Sequence, residues 1–217
     1  MSITAIIPVR KGSVRVKNKN TKPFANSNLL EIKINKLKEI KNLDNIVVSS
    51  DCEKMLDMAN SLGVETHARE DYYASSGVNN SDFFRNLAES IECENVLYSP
   101  VTCPLISTDT YQECIRRYSY ENLRNLVTVS PVKHHMWLHG QPLNYDIKNS
   151  PNSQDLPEIY RITYGICLID RQLMIEYCNV VSSDPSFYIL DEIESVDIDT
   201  EFDFMVAEEI YKKIYIN

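Results

Sequence analysis

Short apolar runs alternate with amphipathic helical patterns along this chain, and this alternation constrains its fold more than any other feature. The apolar runs are rich in β-branched residues and predict strands at 3–7, 46–49, 96–98, 126–129 and 165–169. The helical patterns between and after them predict helices over 29–41, 52–62, 80–91, 107–119 and 201–213. Such alternation is typical of a mostly parallel, twisted sheet with helices on both faces. The sequence therefore predicts an α/β protein with three layers, α/β/α, of the Rossmann-like type.

One stretch, residues 133–163, interrupts the alternation. It contains three of the four histidines, three prolines and the only tryptophan, Trp137, with weak helical periodicity. We interpret it as a hairpin-like arm inserted into a single domain, 1–217. Its apolar side chains favour packing against the domain or a second subunit over cofactor binding.

Composition excludes several classes of function. The chain has 217 residues, 43% hydrophobic and 24% charged, which suits one globular domain. Its formal net charge of −9 argues against general binding to nucleic acid or to anionic membranes. The six cysteines form no C-x-x-C pair, and the first residues lack the features of a signal peptide. We therefore expect a reduced, cytoplasmic protein with no nucleic-acid or membrane partner.

A local basic stretch stands out against this acidic background. The segment "IIPVRKGSVRVKNKN" at 6–20 follows the first predicted strand and carries Arg10, Lys11, Arg15, Lys17 and Lys19. Ligands of parallel sheets gather at the carboxyl ends of the strands, and cations there suit a polyphosphate. A solvated basic loop is the alternative. Neither a G-x-x-x-x-G-K-[ST] nor a G-x-G-x-x-G motif is present.

A second feature is the acidic segment "SVDIDTEFDF" at 195–204. If it is extended, Asp197 and Asp199 project from one face about 7 Å apart, a spacing that could hold hydrated Mg²⁺. The alternative is that Asp199 or Thr200 caps the last helix. Both roles are compatible.

The order of these motifs resembles that of the acylneuraminate cytidylyltransferases, the CMP-sialic acid synthetase family. The basic loop is similar to its R-x-G-S…K-N signature, and 195–204 is similar to its S-I-D-I-D-T-E-x-D. The other ordered matches are "VVSSD" at 47–51, Arg69 with Ala74-Ser75, "VTCPL" at 101–105 and "PVKHH" at 131–135. The resemblance covers roughly residues 3 to 207.

The resemblance implies a nucleotide-diphospho-sugar transferase fold and transfer of CMP from CTP to a sugar, with release of pyrophosphate. It implies Mg²⁺ at Asp197 and Asp199, with Arg10 and Lys19 on the phosphates and a homodimer formed through the arm. The nucleotide-binding residues implied are Val9, Arg10, Gly12, Ser13, Lys19, Asn20, Arg69, Ser75 and Asn80. The product would serve the synthesis of a bacterial surface glycan.

Two departures concern the acceptor. Pro100 and Ser153 stand where family members that activate sialic acid commonly carry Gln and Arg. Neither residue can make the corresponding amide or charge-assisted contact, so we expect N-acetylneuraminate to be a poor substrate. The acceptor is then another nonulosonic acid or a sugar phosphate. Candidate acceptor-binding residues are Lys133, His134, His135, Arg161 and Tyr164, and core or interface packing is the alternative role for each.

Two further functional hypotheses remain. A catalytically degenerate, nucleotide-binding relative would be expected to lose Lys19 or a metal carboxylate, and all three are present. Nucleotidyltransferases of the molybdopterin or ADP-glucose type begin with a Gly-rich loop after the first strand. The segment Pro8-Val9-Arg10 does not resemble that loop.

Overall fold

The computed structural model describes residues 1–13 and 15–216. The strands in chain order are β1 (Ile3–Pro8), β2 (Pro23–Phe24), β3 (Ser27–Asn28), β4 (Asn45–Ser50), β5 (Glu65–Ala68), β6 (Asn95–Tyr98), β7 (Asn125–Pro131), β8 (Trp137–Leu138), β9 (Gln141–Pro142), β10 (Tyr160–Asp170) and β11 (Ser186–Ile189). The helices are α1 (Leu29–Lys38), α2 (Glu53–Ser61), α3 (Asp71–Ala74), α4 (Asn80–Ser90), α5 (Thr108–Tyr120), α6 (Arg171–Tyr177) and α7 (Glu201–Tyr215), with a 3-10 turn at Ser153–Asp155.

Seven of the strands form one sheet in the order β11-β7-β10-β6-β1-β4-β5. β10 runs antiparallel to its neighbours β6 and β7, and every other pair in the sheet is parallel. The carboxyl ends of β1, β4 and β6 therefore lie together at one edge.

The sheet is covered on both faces, and each face has its own buried cluster. Ile3, Ala5 and Ile7 of β1 belong to the cluster that contains residues of α1, α2, α5 and α7. Ile6 belongs to the other cluster, with residues of α4 and α6. This alternation follows from the two-residue period of a strand. The three-layer α/β/α prediction is confirmed.

Side-chain caps fix where several helices begin. Asn28 accepts a hydrogen bond from the Glu31 backbone N–H and starts α1. Thr200 and Asp203 form a capping box at the start of α7. The cap predicted for the last helix is therefore present at Thr200, directly after the Asp197–Asp199 segment, which lies outside the strands.

Every strand and helix predicted from the periodicity is present. Most ends shift by at most three residues, but β10 begins five residues before the predicted strand at 165–169. The structure adds the edge strands β5 and β11 to the main sheet, and it also adds the short strand pairs β2–β3 and β8–β9 and the short helices α3 and α6. All six cysteines are free thiols. Among the described helices, none combines the length and apolar character needed to cross a bilayer.

The arm projects from the domain between β7 and β10. Its hairpin pairs β8 with β9 through His139 and Gly140, whose φ angles of 50° and 76° are both in the left-handed region. Asn144 holds the base of the arm, because its side chain accepts from Met136 N and donates to His134 O. The expected arm ended at residue 163, but β10 already begins at Tyr160, so residues 160–163 belong to the sheet.

Candidate active site

A cleft of about 550 Å³ opens at the carboxyl ends of β1 and β6. Its lining comes from the loop after β1, from α4 and the segment before it, and from the segment before α7. This is the edge at which α/β sheets bind ligands. The site predicted from the sequence therefore corresponds to a real concavity.

The basic loop is held against the sheet by its backbone. Val9 N donates to Ser49 O at 3.0 Å, and Lys11 N donates to Asp51 Oδ1 at 2.9 Å. Asn20 is buried, and its amide donates to the carbonyl of Arg10 at 3.0 Å. Arg10 in turn donates from Nη1 to Ala74 O at 3.1 Å. The loop is thus tied at both ends, with the Arg10 guanidinium in the cleft.

Arg69 is the most unusual cation in the cleft. It is only 5% exposed, and burial lowers the pKa of its guanidinium. Nη2 donates to Val9 O at 2.5 Å, and the guanidinium lies 5.1 Å from the centre of the Phe83 ring. Its Nε and Nη1 have no partner among the described residues. Unpaired buried donors are costly, so Arg69 carries an energetic penalty within the described chain.

The acidic end of the cleft contains Asp197, Asp199 and Lys19. Lys19 Nζ donates at 2.6 Å to the backbone carbonyl of Ile198, the residue between the two aspartates in the sequence. Burial raises the pKa of Asp197, and the charge of Asp199 adds to the rise, while Thr102 and Lys19 oppose it. Burial lowers the pKa of Lys19, against the pull of both carboxylates. The three groups therefore form one electrostatic unit.

Positive charge predominates in the cleft as a whole. Its described lining includes four cationic side chains and two acidic ones, in a chain whose net charge is −9. One of the cations is Arg15, which contacts Asp199 at 2.6 Å. Both partners of that ion pair are substantially exposed, so it contributes little to stability. Arg15 is free to exchange this partner for an anionic ligand at small cost.

The carboxylate pair fits Mg²⁺. Proteins commonly hold Mg²⁺ with one or two carboxylates, and substrate phosphates and water complete its octahedron. No cluster of three or more His, Cys, Asp or Glu suited to a metal occurs within 1–13 and 15–216. A site made of Asp197 and Asp199 would therefore be completed by ligands from outside the chain.

The structure brings most of the predicted site residues together. The cleft is lined by Val9, Arg10, Ser13, Lys19, Asn20, Arg69, Ser75, Asn80, Tyr164, Asp197 and Asp199. Gly12 lies in the same loop but outside the lining. Of the other basic residues, Lys22 pairs with Glu201 at 2.6 Å, away from the cleft.

The remaining acceptor candidates do not line the cleft. His134 and His135 lie in the exposed arm, where His135 Nε2 is 3.0 Å from Pro151 O. Arg161 donates to Ser195 O at 3.0 Å and to Ser130 Oγ at 3.3 Å. Its charge is nevertheless close enough to Asp197 to oppose the rise in the pKa of that carboxyl that burial causes. Acceptor binding by Lys133, His134, His135 and Arg161 stays a prediction.

Aromatic residues that the sequence interpretation did not assign to the site also line the cleft. Phe83 and Phe84 lie on α4 with ring centres 5.2 Å apart, and Phe84 packs edge-on against Tyr98 at 5.4 Å. Their spacing in the sequence is that of ordinary core residues. The available sequence signal was their position three and four residues after Asn80, a predicted binding residue.

Known proteins share both the sequence pattern and the fold. A family model described as cytidylyltransferase matches residues 4–135. The chain is 24% identical to post-translational flagellin modification protein B of Campylobacter coli, over 97% of this chain and 95% of that protein. It is 24% identical to a pseudaminic acid cytidylyltransferase of Campylobacter jejuni, over 98% and 97% of the two chains. The solved structure of CMP:2-keto-3-deoxy-manno-octonic acid synthetase complexed with CTP has a TM-score of 0.72 at 11% identity, covering 98% of this chain and 99% of that one, which shows a shared fold.

Proposed function

Because the chain belongs to the cytidylyltransferase family, and so is a CTP-dependent nucleotidyltransferase, we propose that it transfers CMP from CTP to a nonulosonic acid and releases pyrophosphate. The observation that carries this proposal is the cleft itself. A locally positive cleft in an acidic chain ends at a carboxylate pair and contains a buried guanidinium with unpaired donors. A nucleoside triphosphate satisfies each of these features.

We assign the triphosphate to the basic loop. Arg10 can offer two donors to phosphate oxygens, Lys19 acts as a point charge, and Ser13 with the backbone near Gly12 completes the cradle. At the other end of the cleft, Arg69 with Ser75 meets the cytosine. Arg69 lines the cleft there, and a guanidinium can donate to a carbonyl or ring nitrogen of the base.

The ribose falls between the phosphates and the base. Val9, Asn20 and Asn80 are assigned to it, in agreement with their place in the cleft lining. Asn20 also has a positioning role, since its amide holds the carbonyl of Arg10. A change at Asn20 is therefore expected to disturb the phosphates as well as the ribose.

We assign Mg²⁺ to Asp197 and Asp199. When bound there it would supply positive charge against the phosphates as negative charge builds on them. The residues of the chain act in the same direction. Lys19 bonds the backbone carbonyl of Ile198, between the two aspartates in the sequence. An acceptor oxygen that attacks the α-phosphorus in line displaces pyrophosphate toward Arg10 and Arg15. Desolvation strengthens these interactions in the partly buried cleft.

The acceptor is proposed to be a nonulosonic acid, because a relative over nearly the full length is named a pseudaminic acid cytidylyltransferase. A sugar phosphate remains the alternative acceptor. The name of the Campylobacter coli relative, a flagellin modification protein, supports a product that enters a bacterial surface glycan. A cytoplasmic location suits the use of CTP and the six free cysteines.

We further propose a homodimer formed through the arm. Met136, Trp137, Leu138, Leu143 and Ile147 of the arm are 38–57% exposed. Apolar side chains clustered on one projection favour burial against another surface. A second copy of the chain is the partner proposed here.

The test is pyrophosphate release from CTP with Mg²⁺, measured across nonulosonic acids, 3-deoxy-manno-octulosonate and hexose or polyol phosphates. We expect turnover with at least one nonulosonic acid. Turnover with a sugar phosphate alone would replace the acceptor assignment. CTP binding without turnover of any acceptor would favour the catalytically degenerate alternative.

A further inference from the structure

Two lysines lie on the buried face of α1, where a helix usually places apolar side chains. Lys33 is 1% exposed and Lys36 is 8% exposed. Burial lowers the pKa of Lys33 to about 7 and that of Lys36 to about 8. Lysine is seldom fully buried, because removing an ammonium group from water is costly. Neither lysine is among the described residues that line the cleft, so contact with the nucleotide does not account for them.

Lys33 binds the loop between β6 and α5, residues 99–107. Its Nζ donates to Cys103 O at 3.3 Å and to Ser99 Oγ at 3.2 Å. It also donates at 2.6 Å to the hydroxyl of Tyr111, in the first turn of α5. Lys33 therefore connects α1 to the start, the middle and the far end of this loop.

Lys36 lies about one turn later on α1 and binds the same loop. Its Nζ donates to Pro104 O at 2.7 Å and to Ile106 O at 2.5 Å. Hydrogen bonds from an ammonium group are charge-assisted and stronger than bonds between neutral groups. The two lysines together hold three backbone carbonyls of the 99–107 loop.

The 99–107 loop in turn holds the segment that carries the carboxylate pair. Ile198, the residue between the two aspartates, donates from its N–H to Thr102 O at 2.9 Å. A hydrogen bond from the Thr102 side chain opposes the rise in the pKa of Asp197 that burial causes. The Cys103 thiol lies 3.8 Å from Asp197 Oδ1. The position of Asp197 therefore depends on the loop that the two lysines hold.

The same helix is also bonded to the basic loop. Leu30 N donates to Asn20 O at 3.1 Å, and the Asn20 side chain donates to Arg10 O. The first turn of α1 therefore meets the side of the cleft assigned to the phosphates, and its buried lysines meet the side with the carboxylates. A helix between the two sides fixes their relative position. Misplacement of a reacting group by about 1 Å can cost on the order of a hundredfold in rate.

We propose that Lys33 and Lys36 are positioning residues for nucleotidyl transfer, which set the place of Asp197 relative to the basic loop through the carbonyls of the 99–107 loop. This inference rests on the proposed function. Loss of either lysine should let the carboxylate segment move, so that Mg²⁺ is held less well and the rate falls. The contacts of the basic loop with the nucleotide should remain.

Lys33→Met tests the proposal first in the free protein. Methionine has a similar length and no donor, and replacement of a buried charge by an apolar side chain is often neutral for stability. We expect Tm to change by no more than about 4 °C. Hydrogen exchange at the Ile198 amide should become about tenfold faster or more, because its acceptor Thr102 O is held less firmly. This measurement needs neither metal nor nucleotide.

The second measurement separates the two sides of the cleft. In Lys33→Met, kcat should fall about tenfold or more, and the Mg²⁺ concentration that gives half the maximal rate should rise about tenfold. The Kd for CTP measured by calorimetry without Mg²⁺ should stay within about twofold of wild type, a split that a general loss of structure would not produce. Lys36→Met should show the same pattern, and it replaces Lys33→Met if that variant does not fold.

The matched control is Lys38→Met. Lys38 lies on the same helix and donates to a backbone carbonyl, Leu62 O at 2.9 Å, outside the 99–107 loop. It should leave Ile198 exchange, kcat and the Mg²⁺ requirement unchanged. Unchanged Ile198 exchange in both test variants, an unchanged Mg²⁺ requirement, or an equal effect in the control would each overturn the proposal. Failure of the proposed function is distinguishable, because the wild-type chain would then turn over no acceptor, while Ile198 exchange would still report on the lysines.

Discussion

Replacing Arg69 by methionine should affect the stability of the free protein and its affinity for CTP in opposite ways. In the free protein, Arg69 makes one hydrogen bond, to Val9 O, and a contact with the Phe83 ring. Losing these costs about 1.5–2 kcal/mol. Removing the two buried donors without partners, Nε and Nη1, returns about 1–3 kcal/mol each. The free energy of unfolding of Arg69→Met should therefore be unchanged or raised.

CTP binding should weaken in the same variant. If the Arg69 guanidinium makes two hydrogen bonds to the base, their loss costs about 3 kcal/mol or more, which is at least about a hundredfold in Kd. Urea unfolding without nucleotide measures the first quantity, and calorimetric titration with CTP and Mg²⁺ measures the second. Arg171→Met is the matched control, since Arg171 Nε bonds Ala88 O at 2.7 Å and lies outside the cleft. It should lose stability and keep its CTP affinity. A strongly destabilised Arg69→Met with unchanged CTP affinity would refute the reasoning.

Three further predictions follow from the same geometry. Burial lowers the pKa of Lys33 to about 7 from 10.5, so above pH 7 the unfolded state binds more protons than the folded state. The free energy of unfolding should then rise between pH 7 and 9, by at most about 1.4 kcal/mol per pH unit for this group, and Lys33→Met should flatten that rise in urea titrations. CTP with Mg²⁺ should raise Tm more than ATP or GTP does, and equal shifts would exclude cytidine specificity. Light scattering at micromolar concentration should give twice the chain mass of 25.0 kDa, whereas a monomer would remove the arm dimer.

The interior of the sheet could be predicted from the sequence because its strands are buried on both faces. β1, β4 and β6 appear as continuous apolar runs for that reason. The edge strands β5 and β11 are half exposed and have no such run, so the pattern does not indicate them. Short helices such as α6 have too few turns to show a period.

The charged part of the candidate site was predictable because its residues come in short segments with a recognisable order. Arg10 and Lys19 share one loop, and Asp197 and Asp199 share another. The bulge at Tyr164, where the pairing of β10 with β7 shifts register, was not predictable, since "RITYGICLI" reads as an uninterrupted strand. The unpaired nitrogens of Arg69 likewise depend on contacts between distant segments. Both features depend on packing between segments that are distant in the sequence, and no local sequence pattern indicates such packing.

The most direct test of the account follows the α-phosphorus of CTP. The wild-type chain, supplied with CTP labelled at the α-phosphate, Mg²⁺ and a nonulosonic acid, should move the label into the sugar and release unlabelled pyrophosphate. Asp197→Ala and Asp199→Ala should each lower this transfer by about a hundredfold or more, with circular dichroism unchanged. Transfer of the γ-phosphate to the sugar, or transfer of the α-label at the wild-type rate in both variants, would contradict CMP transfer at this cleft.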